Sequence, residues 1–477
     1  MERYPPMHHR IAILALISVA LLGCAAVGPE YRPPKPAAPL KWEAALPHGG
    51  LQAGLTNWWS QFNDPVLTGL IADAEASSPT LAGAAARINE ARAALTGSEA
   101  SALPTVNGSA GVMRGNAQSA MPLTPRTTGS VAVDAAWEID LFGSVRRSTE
   151  AAGARLAARR FEWHDARISL AAEVANAYVG YRACRQLAAA FARDVASRGE
   201  TQRLTRVLAE SGFTARADME LAHASLADAR SELENQIATC EIAIKSMVAL
   251  VGLAETELRA RLDGGGDIPA RLPTPAAFTV EAVPLKALRQ RPDLAAAERG
   301  LAAASADVGV AEANRYPRLT LSGNISLASV LGGVGAGADS HSWSFGPALS
   351  VPLFDAGKRA AGVQAAEARL AQQRAAYATA VRTAVNEVEQ ALVNLDSARR
   401  READASAAVT GYANYYLAAE ANWRAGSVSL LSLEEARRNA NNAERKLIAL
   451  QRMRVQNWIS LYKALGGGWQ ASAGGNI

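Results

Sequence analysis

The sequence predicts a mainly α-helical protein with a small membrane β part, organised as two structural repeats. Three observations support this prediction. Short motifs recur about 213 residues apart, two very long segments lack proline, and four short segments alternate apolar with small polar residues. Each repeat is expected to contain a β-hairpin followed by a very long α-helical coiled-coil hairpin.

Four pairs of motifs mark the repeat, and the second member of each pair follows the first by 212 to 214 residues. The pairs are Ser78–Leu81 with Arg291–Leu294, Leu103-Pro104 with Tyr316-Pro317, Asp140–Gly143 with Pro352–Asp355, and Ser211–Phe213 with Ala425–Ser427. The near-constant offset indicates that each half has the same order: helix, strand, loop, strand, long helix, tight turn and helix.

The two longest helices are predicted where proline is absent, from Ser144 to Ser211 and from Ala356 to Ala425. Segments of this length would reach roughly 100 Å as α-helices. Apolar residues within them step alternately by three and four, as between Leu170 and Val195 and between Tyr377 and Ala398. This heptad spacing indicates coiled-coil packing.

Gly212 and Gly426 lie where each long helix has to reverse direction. Glycine tolerates the left-handed conformation that ends a helix. Returning helices are predicted at about 217–250 and 430–465. Each half therefore carries one antiparallel helical hairpin.

Four strands are predicted, at about 105–114, 128–138, 318–328 and 342–352, because apolar residues alternate there with small polar ones. Membrane barrel strands have this pattern, although a half-buried soluble sheet would have it too. Four strands cannot close a barrel in lipid without leaving backbone groups unpaired, so the chain is expected to oligomerise. Two copies would give eight strands with a filled interior, and three would give twelve with room for a lumen.

The N-terminus has the features of a secretory signal. Arg3 and Arg10 precede an apolar run from Ile11 to Leu22, and Leu-Leu-Gly then leads to Cys24. This ending resembles a bacterial lipobox, which implies cleavage before Cys24 and attachment of acyl chains such as palmitate to that residue. Ala25 stands where an inner-membrane lipoprotein often has Asp, so the outer membrane is favoured. The alternative is an ordinary signal that happens to end near a cysteine.

Six further motifs follow one another along the chain: Cys24–Tyr31, Trp58–Pro65, Ala85–Ile88, Trp137–Gly143, Arg291–Leu294 and Val351–Asp355. Together, in this order, they resemble the TolC-like outer-membrane efflux factors, in the lipidated, NodT-like branch associated with resistance-nodulation-division pumps. The similarity extends from Cys24 to about Gly468.

The resemblance implies a homotrimer whose twelve strands form an outer-membrane barrel, continued through the periplasm by an α-helical barrel. The protein would be a passive duct that exports drugs, toxic compounds or metal ions. It would receive them from a periplasmic adaptor protein and an inner-membrane pump. Apart from the lipid on Cys24, no cofactor is implied.

The predicted organisation has six parts. They are a signal peptide at 1–23, a lipidated segment that begins an equatorial belt at 24–64, a first repeat at 65–251, an equatorial linker at 252–290, a second repeat at 291–465 and a tail at 466–477. The helical hairpins within the repeats are expected at about 144–250 and 356–465, with tips at 211–214 and 425–428.

The tips are the candidate adaptor contacts, because turn residues of the family bind the adaptor. The matching residues are Ser211, Gly212, Phe213, Ala425, Gly426, Ser427 and Val428. The two glycines also serve simply to end helices, and both roles are compatible.

The resemblance also places a periplasmic gate just beyond the tips, at Asp218, Ser432 and Glu435. Acidic rings close the mouth in the family, and Glu435 keeps a carboxylate where Ser432 does not. Asp218 matches a latch residue, but the Tyr and Arg that often partner it appear here as Trp423 and Val428. The alternatives are a first-turn acid favoured by the helix dipole for Asp218 and a solvated surface side chain for Glu435.

Cys184 lies 28 residues before Gly212, and Cys240 lies 28 residues after it. Across an antiparallel hairpin the two would stand at the same height, on apolar seams. We therefore consider them a candidate disulfide. The alternative is a pair of buried thiols that act as small apolar groups.

Nothing in the sequence predicts an enzyme, a metal site or a nucleic-acid partner. The six histidines show no metal-ligand spacing, and the net charge of +4 is not gathered into a basic block. Two alternative functions remain open at this point: the outer-membrane duct of a type I protein-secretion system, and a periplasmic coiled-coil scaffold without a pore. The sequence does not identify the exported substrate.

Overall fold

A computed structural model describes residues 26–35, 38–46, 55–116, 125–263, 272–275, 288–333 and 335–469. The chain divides into two compact units. The first comprises the described residues of 1–35, 86–160 and 295–378, and the second those of 36–85, 161–294 and 379–477.

The described elements are mostly helices, with one small sheet. A 3₁₀ helix at Leu55–Phe62 comes first. The elements after it, labelled in chain order, are α1 (Pro65–Ser77), α2 (Pro79–Ala100), β1 (Thr105–Asn116), β2 (Pro125–Ile139), α3 (Ser144–Glu210), α4 (Arg216–Val251), α5 (Glu255–Asp263), α6 (Pro292–Ala313), β3 (Arg318–Gly332), β4 (Asp339–Ser350), α7 (Lys358–Arg424) and α8 (Leu430–Ala464).

An aspartate fixes the start of each long helix. The carboxylate of Asp140 accepts a hydrogen bond from the backbone N–H of Arg146 at 2.9 Å. The carboxylate of Asp355 accepts one from Gly357 at 3.0 Å and one from Arg359 at 3.2 Å. These carboxylates satisfy N–H groups that have no partner within the helix. Helix α7 begins two residues later than expected, because residues 356 and 357 have positive φ.

The four strands form one antiparallel sheet in the order β1-β2-β3-β4, within the first unit. Their register keeps like residues together: Val106 pairs with Ala135, Val133 with Ile325, and Ile325 in turn with Trp343. Since side chains alternate along each strand, this register gives the sheet one mainly apolar face and one face of mostly small, polar side chains.

The composition of the two faces follows from the pairing. The apolar face carries Val106, Gly108, Ala110, Val112, Val131, Val133, Ala135, Trp137, Leu319, Leu321, Gly323, Ile325, Leu327, Trp343, Phe345, Pro347 and Leu349. The polar face carries Asn107, Ser109, Thr128, Ser130, Asp134, Thr320, Ser322, Asn324, Ser326, Ser342, Ser344 and Ser350. Trp343 is 80% exposed and Phe345 72% exposed in the single chain, so the apolar face has no cover there.

The strands extend further into the β3–β4 connection than the sequence predicted. The backbone N–H of Gly337 donates to the carbonyl of Val330 at 2.8 Å, and that of Val330 donates to Ala338 at 3.1 Å. This tight turn carries the strands through residues 329–332 and 339–341, beyond the ends at 328 and 342 that the sequence predicted. Strand β4 ends at Ser350 rather than 352, close to Pro352, which lacks a backbone donor.

An aromatic cluster organises the core of the second unit. Trp58 is fully buried and stacks on Tyr462 with ring centroids 4.5 Å apart, while Phe62 meets Trp58 edge-on at 5.0 Å. Burial raises the pKa of Tyr462 to about 12. The carboxylate of Asp64 caps α1 and also accepts a hydrogen bond from the Tyr178 hydroxyl at 2.7 Å. Trp58, just before α1, therefore contacts α8, and Asp64, at the start of α1, contacts α3.

The N-terminal segment is packed within the first unit. The backbone N–H of Val27 donates to the carbonyl of Phe142 at 3.1 Å, and Arg147 Nε donates to the carbonyl of Val27 at 3.3 Å. A Cβ added to Gly28 would lie 2.4 Å from the Cα of Gly309, so only glycine fits there. This segment thus lies against α6 and the junction of β2 with α3.

Among the described helices, none by itself is long and apolar enough to cross a membrane. Helices α4 and α5 meet the length and composition criteria only as a pair, with a bend of 113° between them.

Candidate functional site at the hairpin tips

The first hairpin turns at Gly212. The backbone N–H of Phe213 donates to the carbonyl of Leu208 at 2.8 Å, and that of Gly212 donates to Ala209 at 3.1 Å. Gly212 has φ +78°. These bonds form a Schellman motif, which satisfies the last carbonyls of α3.

The second hairpin turns at Gly426 in the same way. The backbone N–H of Ser427 donates to the carbonyl of Asn422 at 2.9 Å, and that of Gly426 donates to Trp423 at 2.9 Å. Gly426 has φ +74°. The two tips therefore share one backbone conformation and differ in their side chains.

Six of the seven predicted adaptor-contact residues are exposed, and Val428 is half-buried. Phe213 stands out because 82% of its surface is exposed. The ring of Phe213 therefore presents an apolar surface to solvent at the end of the first hairpin.

Asp218 makes its hydrogen bonds within its own turn. Its carboxylate accepts a hydrogen bond from the Thr214 hydroxyl at 2.7 Å, and its backbone N–H donates to the carbonyl of Ala215 at 3.1 Å. Ala215 occupies the N-cap of α4 and offers no side-chain acceptor. Asp218 therefore supports the start of α4, the alternative role considered for it.

Ser432 also takes part in a helix start. The hydroxyl of Ser429, at the N-cap of α8, accepts a hydrogen bond from the backbone N–H of Ser432 at 3.2 Å. Glu435 is exposed, whereas Leu433 and Ala436 on either side of the Glu434-Glu435 pair are fully buried. The three predicted gate residues thus lie on local surfaces near the tips.

A buried set of charged side chains lies deeper between the hairpins, and sequence analysis missed it. We call it the inter-hairpin cluster and define it by five residues: Asp194 and Arg198 of α3, Ser225 of α4, and Glu434 and Arg437 of α8. The side chains of Asp194 and Arg437 are only 1% and 2% exposed.

Glu434 is at the centre of this cluster. One of its carboxylate oxygens accepts hydrogen bonds from Arg198 at 3.1 Å and from the Ser225 hydroxyl at 2.9 Å. The other oxygen is paired with Arg437. The carboxylate of Glu434 thus connects both helices of the first hairpin to the return helix of the second.

The two arginines complete the cluster. Arg198 Nε lies 3.1 Å from each carboxylate oxygen of Asp194. Arg437 donates to the Thr201 hydroxyl at 2.7 Å, and its guanidinium carbon lies 5.5 Å from the centre of the Tyr416 ring. The sequence held one signal for this arrangement: Leu430, Leu433 and Arg437 step by three and four, which puts a charge on an apolar seam.

Cys184 and Cys240 are joined by a disulfide in the structure, with Cα atoms 5.6 Å apart. The bond links α3 to α4 across the first hairpin. The side-chain amide of Gln236 donates to the carbonyl of Cys184 at 3.3 Å, so a polar contact accompanies the bond.

Cys24, the predicted lipid attachment residue, and the signal segment 1–23 lie outside the described residues. Within the described part of the chain, no group of His, Cys, Asp and Glu is arranged to hold a metal ion.

The chain matches the family model described as outer membrane efflux protein over residues 70–253 and 283–467. It is 30% identical to nodulation protein T of Rhizobium leguminosarum bv. trifolii over 452 residues, which cover 94% of each chain. It is 28% identical to the toluene efflux pump outer membrane protein TtgC of Pseudomonas putida, over 97% of this chain and 96% of that protein.

A solved structure of the outer-membrane channel OprN has the same fold. The match has a TM-score of 0.80 at 29% identity and covers 93% of this chain and 99% of that one. Of these relatives, TtgC is named as an efflux pump outer membrane protein and OprN as an outer-membrane channel. The resemblance drawn from the motifs is thus confirmed. The chain belongs to the outer membrane efflux protein family, and it is an outer-membrane channel protein that extends into the periplasm.

Proposed function

We propose that the protein is the exit duct of a tripartite efflux system. As a passive homotrimer, it would carry small molecules outward from a periplasmic adaptor and an inner-membrane resistance-nodulation-division pump. The observation that carries this proposal is the sheet, whose two faces are mainly apolar and mainly polar and whose outer strands β1 and β4 have no described partner on one side.

The sheet fits a segment of a larger barrel. Its apolar face would meet lipid, and its face of hydroxyl and amide groups would line water. Unpaired backbone groups along β1 and β4 would be costly in lipid unless another copy pairs with them. Three copies supply twelve strands, enough to enclose an aqueous lumen.

The lipid anchor fits the same arrangement. A Cβ on Gly143 would lie 2.5 Å from the Cβ of Ala26, so Ala26 is packed where β2 leads into α3. Cys24 comes two residues earlier in the chain. Acyl chains on Cys24 would therefore enter the membrane beside the periplasmic end of the sheet, in the outer membrane where the family is found.

We assign adaptor contact to the exposed tips, with Phe213 and the matching position Ser427 as the central residues of the two turns. Glu435 would form an acidic ring at the periplasmic mouth, since its exposed carboxylate is repeated three times in a trimer. Such a ring favours cations. Asp218 and Ser432 would support this mouth by fixing the starts of α4 and α8.

Small molecules are the proposed cargo because the relative TtgC is named for a toluene efflux pump. The lipobox-like ending at Cys24 favours the same choice over the duct of a protein-secretion system. No energy source is proposed for the chain itself.

Planar-bilayer conductance of the detergent-purified protein, with its mass measured in parallel, tests the proposal. We expect discrete, cation-preferring openings from a particle with the mass of a trimer. Glu435→Ala should enlarge the openings and weaken the cation preference. Glu234→Ala removes the same charge from an exposed site on α4 away from the tips and serves as the matched control. A monomer that conducts in no variant would support a coiled-coil scaffold instead.

A further inference from the structure

A cavity of about 350 Å³ lies beside the inter-hairpin cluster, between α3 of the first hairpin and α7 and α8 of the second. We call it the inter-hairpin pocket and define it by six of its lining residues: Ala190, Asp194, Ala413, Tyr416, Arg437 and Asn441. Cavities of about 150 Å³ are large enough to bind benzene. The inter-hairpin pocket therefore has room for a molecule with two rings.

Two buried hydrogen-bond donors of this lining, Arg437 Nε and Asn441 Nδ2, have no partner among the described residues. The other two guanidinium nitrogens of Arg437 are occupied, Nη1 by Glu434 and Nη2 by the Thr201 hydroxyl. Only 2% of the Arg437 side chain is exposed, so bulk water does not reach it. A buried donor without an acceptor is costly, and the pocket therefore favours a molecule that brings an acceptor.

The lining also contains a buried acceptor, the carboxylate of Asp194, of which only 1% is exposed. Each of its oxygens lies 3.1 Å from Arg198 Nε. A carboxylate has about four lone-pair positions, so the oxygens can each accept a further hydrogen bond. A hydroxyl group both accepts and donates, whereas an ether or a ketone only accepts. The pocket is thus matched best by a hydroxyl group.

The charges around the pocket favour an uncharged ligand. The inter-hairpin cluster is electrically neutral, because its two carboxylates are paired with its two arginines. On the more exposed side of the pocket, Arg193 is paired with Glu444. A charged ligand would therefore bring an uncompensated charge next to buried groups that are already balanced.

The remainder of the lining is largely apolar and includes Ala190, Ala413, Ala440 and Tyr416. The Tyr416 and Ser197 hydroxyl groups are already hydrogen-bonded to each other at 2.8 Å. Water alone would leave the apolar part of the lining wet. An aromatic ring would cover it and would gain a favourable contact with the Tyr416 ring.

We propose that the inter-hairpin pocket binds a small, uncharged phenol or aromatic alcohol. The hydroxyl oxygen of the ligand accepts a hydrogen bond from Arg437 Nε or Asn441 Nδ2, and the hydroxyl hydrogen is donated to Asp194. The aromatic part lies against Ala413 and Tyr416. This site is independent of the proposed duct function, because binding requires neither a pore nor passage of the ligand.

The probe for the experiment is 2-naphthol, which has two fused rings and one hydroxyl group. Isothermal titration calorimetry of the full-length protein in detergent, with the same detergent as the blank, measures the dissociation constant. We expect saturable binding. Naphthalene should bind roughly tenfold more weakly, because it leaves the buried donors and Asp194 unpaired. We expect 2-naphthoate to bind roughly tenfold more weakly as well, because it adds a charge.

Two variants with matched controls locate the binding at the pocket. Ala413→Leu adds bulk to the lining and should weaken the binding of 2-naphthol roughly tenfold, whereas Ala407→Leu at an exposed position of α7 should not. Asn441→Ala removes one donor and should weaken binding about fivefold, the ratio for one neutral hydrogen bond. Asn442→Ala, at the exposed neighbouring position of α8, should leave the dissociation constant unchanged.

Three outcomes would overturn the proposal. Heats equal to those of the detergent blank would show that the pocket holds water only. Equal affinities for 2-naphthol and naphthalene would remove the role of the hydroxyl group. A wild-type dissociation constant in both Ala413→Leu and Asn441→Ala would place the binding elsewhere. If Ala413→Leu does not assemble, Asn441→Ala decides the question by itself, and a wild-type value in that variant overturns the proposal.

Discussion

The two helical hairpins have the same backbone at their tips but are fixed by different means. The first, α3 with α4, is closed by the disulfide between Cys184 and Cys240. The second, α7 with α8, contains no cysteine and contributes the Glu434 and Arg437 side chains that bind the first hairpin. The first hairpin is therefore held together covalently, whereas the second contacts the first through ion pairs and hydrogen bonds.

The largest effect is expected from removing the covalent link. The disulfide closes a sequence separation of 56 residues. By the chain-entropy relation, replacing both cysteines with Ser should lower the free energy of unfolding by about 4 kcal/mol. Thermal unfolding in detergent measures the change, and a reductant should destabilise wild type but not the double variant. A wild-type midpoint that stays constant while both thiols become titratable would contradict the prediction.

The second hairpin should respond most to Arg437→Met. This change leaves Glu434 buried without one of its two arginines and Thr201 without its partner, so we expect a loss of about 3 kcal/mol. Arg193→Met, which breaks the exposed pair with Glu444, should cost less than about 1 kcal/mol. Equal shifts in the unfolding midpoints of the two variants would contradict the assignment of the inter-hairpin cluster as buried.

The shared backbone of the tips predicts equal effects at the two glycines. Gly212→Ala and Gly426→Ala should each cost about 1 to 2 kcal/mol, because both positions have positive φ although open space surrounds them. Gly411→Ala, within the regular part of α7, should instead stabilise by about 1 kcal/mol. Denaturation midpoints check all three, and a large difference between the two tips would show that they are not equivalent.

The smallest effects are expected at the helix starts. Ser429→Ala should destabilise by about 1 kcal/mol, because Ser429 caps α8. Ala215→Ser should stabilise by about 0.5 kcal/mol, since Ala215 has the extended backbone of an N-cap but no acceptor. If Ala215→Ser leaves the stability unchanged, the hydrogen bond between Thr214 and Asp218 already stabilises the start of α4.

The sequence predicted the long helices and the disulfide, but it did not predict the inter-hairpin cluster. Proline-free heptad segments led to α3 and α7, and equal spacing about Gly212 placed Cys184 and Cys240 at one height, where their Cα atoms lie 5.6 Å apart. Glu434 was overlooked because a charged residue on a helix is usually solvated. Its burial depends on Arg198 and Ser225, which lie 236 and 209 residues away in sequence, and helical periodicity alone does not reveal such contacts.

The ends of β3 and β4 differ from the predicted ones because they too depend on contacts between distant parts of the chain. The alternation of apolar and small polar residues predicted that β3 ends at about 328 and β4 begins at about 342, but cross-strand pairing carries β3 through Gly332 and begins β4 at Asp339. Backbone hydrogen bonds between neighbours decide where a strand ends, and single-strand composition carries no information about the neighbour.

The polar face of the sheet has a consequence for how solutes would travel along it. Hydroxyl and amide groups alternate along this face with small residues such as Ala132 and Ala348, and the carboxylate of Asp134 accepts a hydrogen bond from Asn324 in the middle of the face. Such groups exchange hydrogen bonds with water at almost no net gain in free energy. A molecule sliding past this wall would find no position much better than the next, so its dwell time would depend on diffusion and not on escape from a binding site.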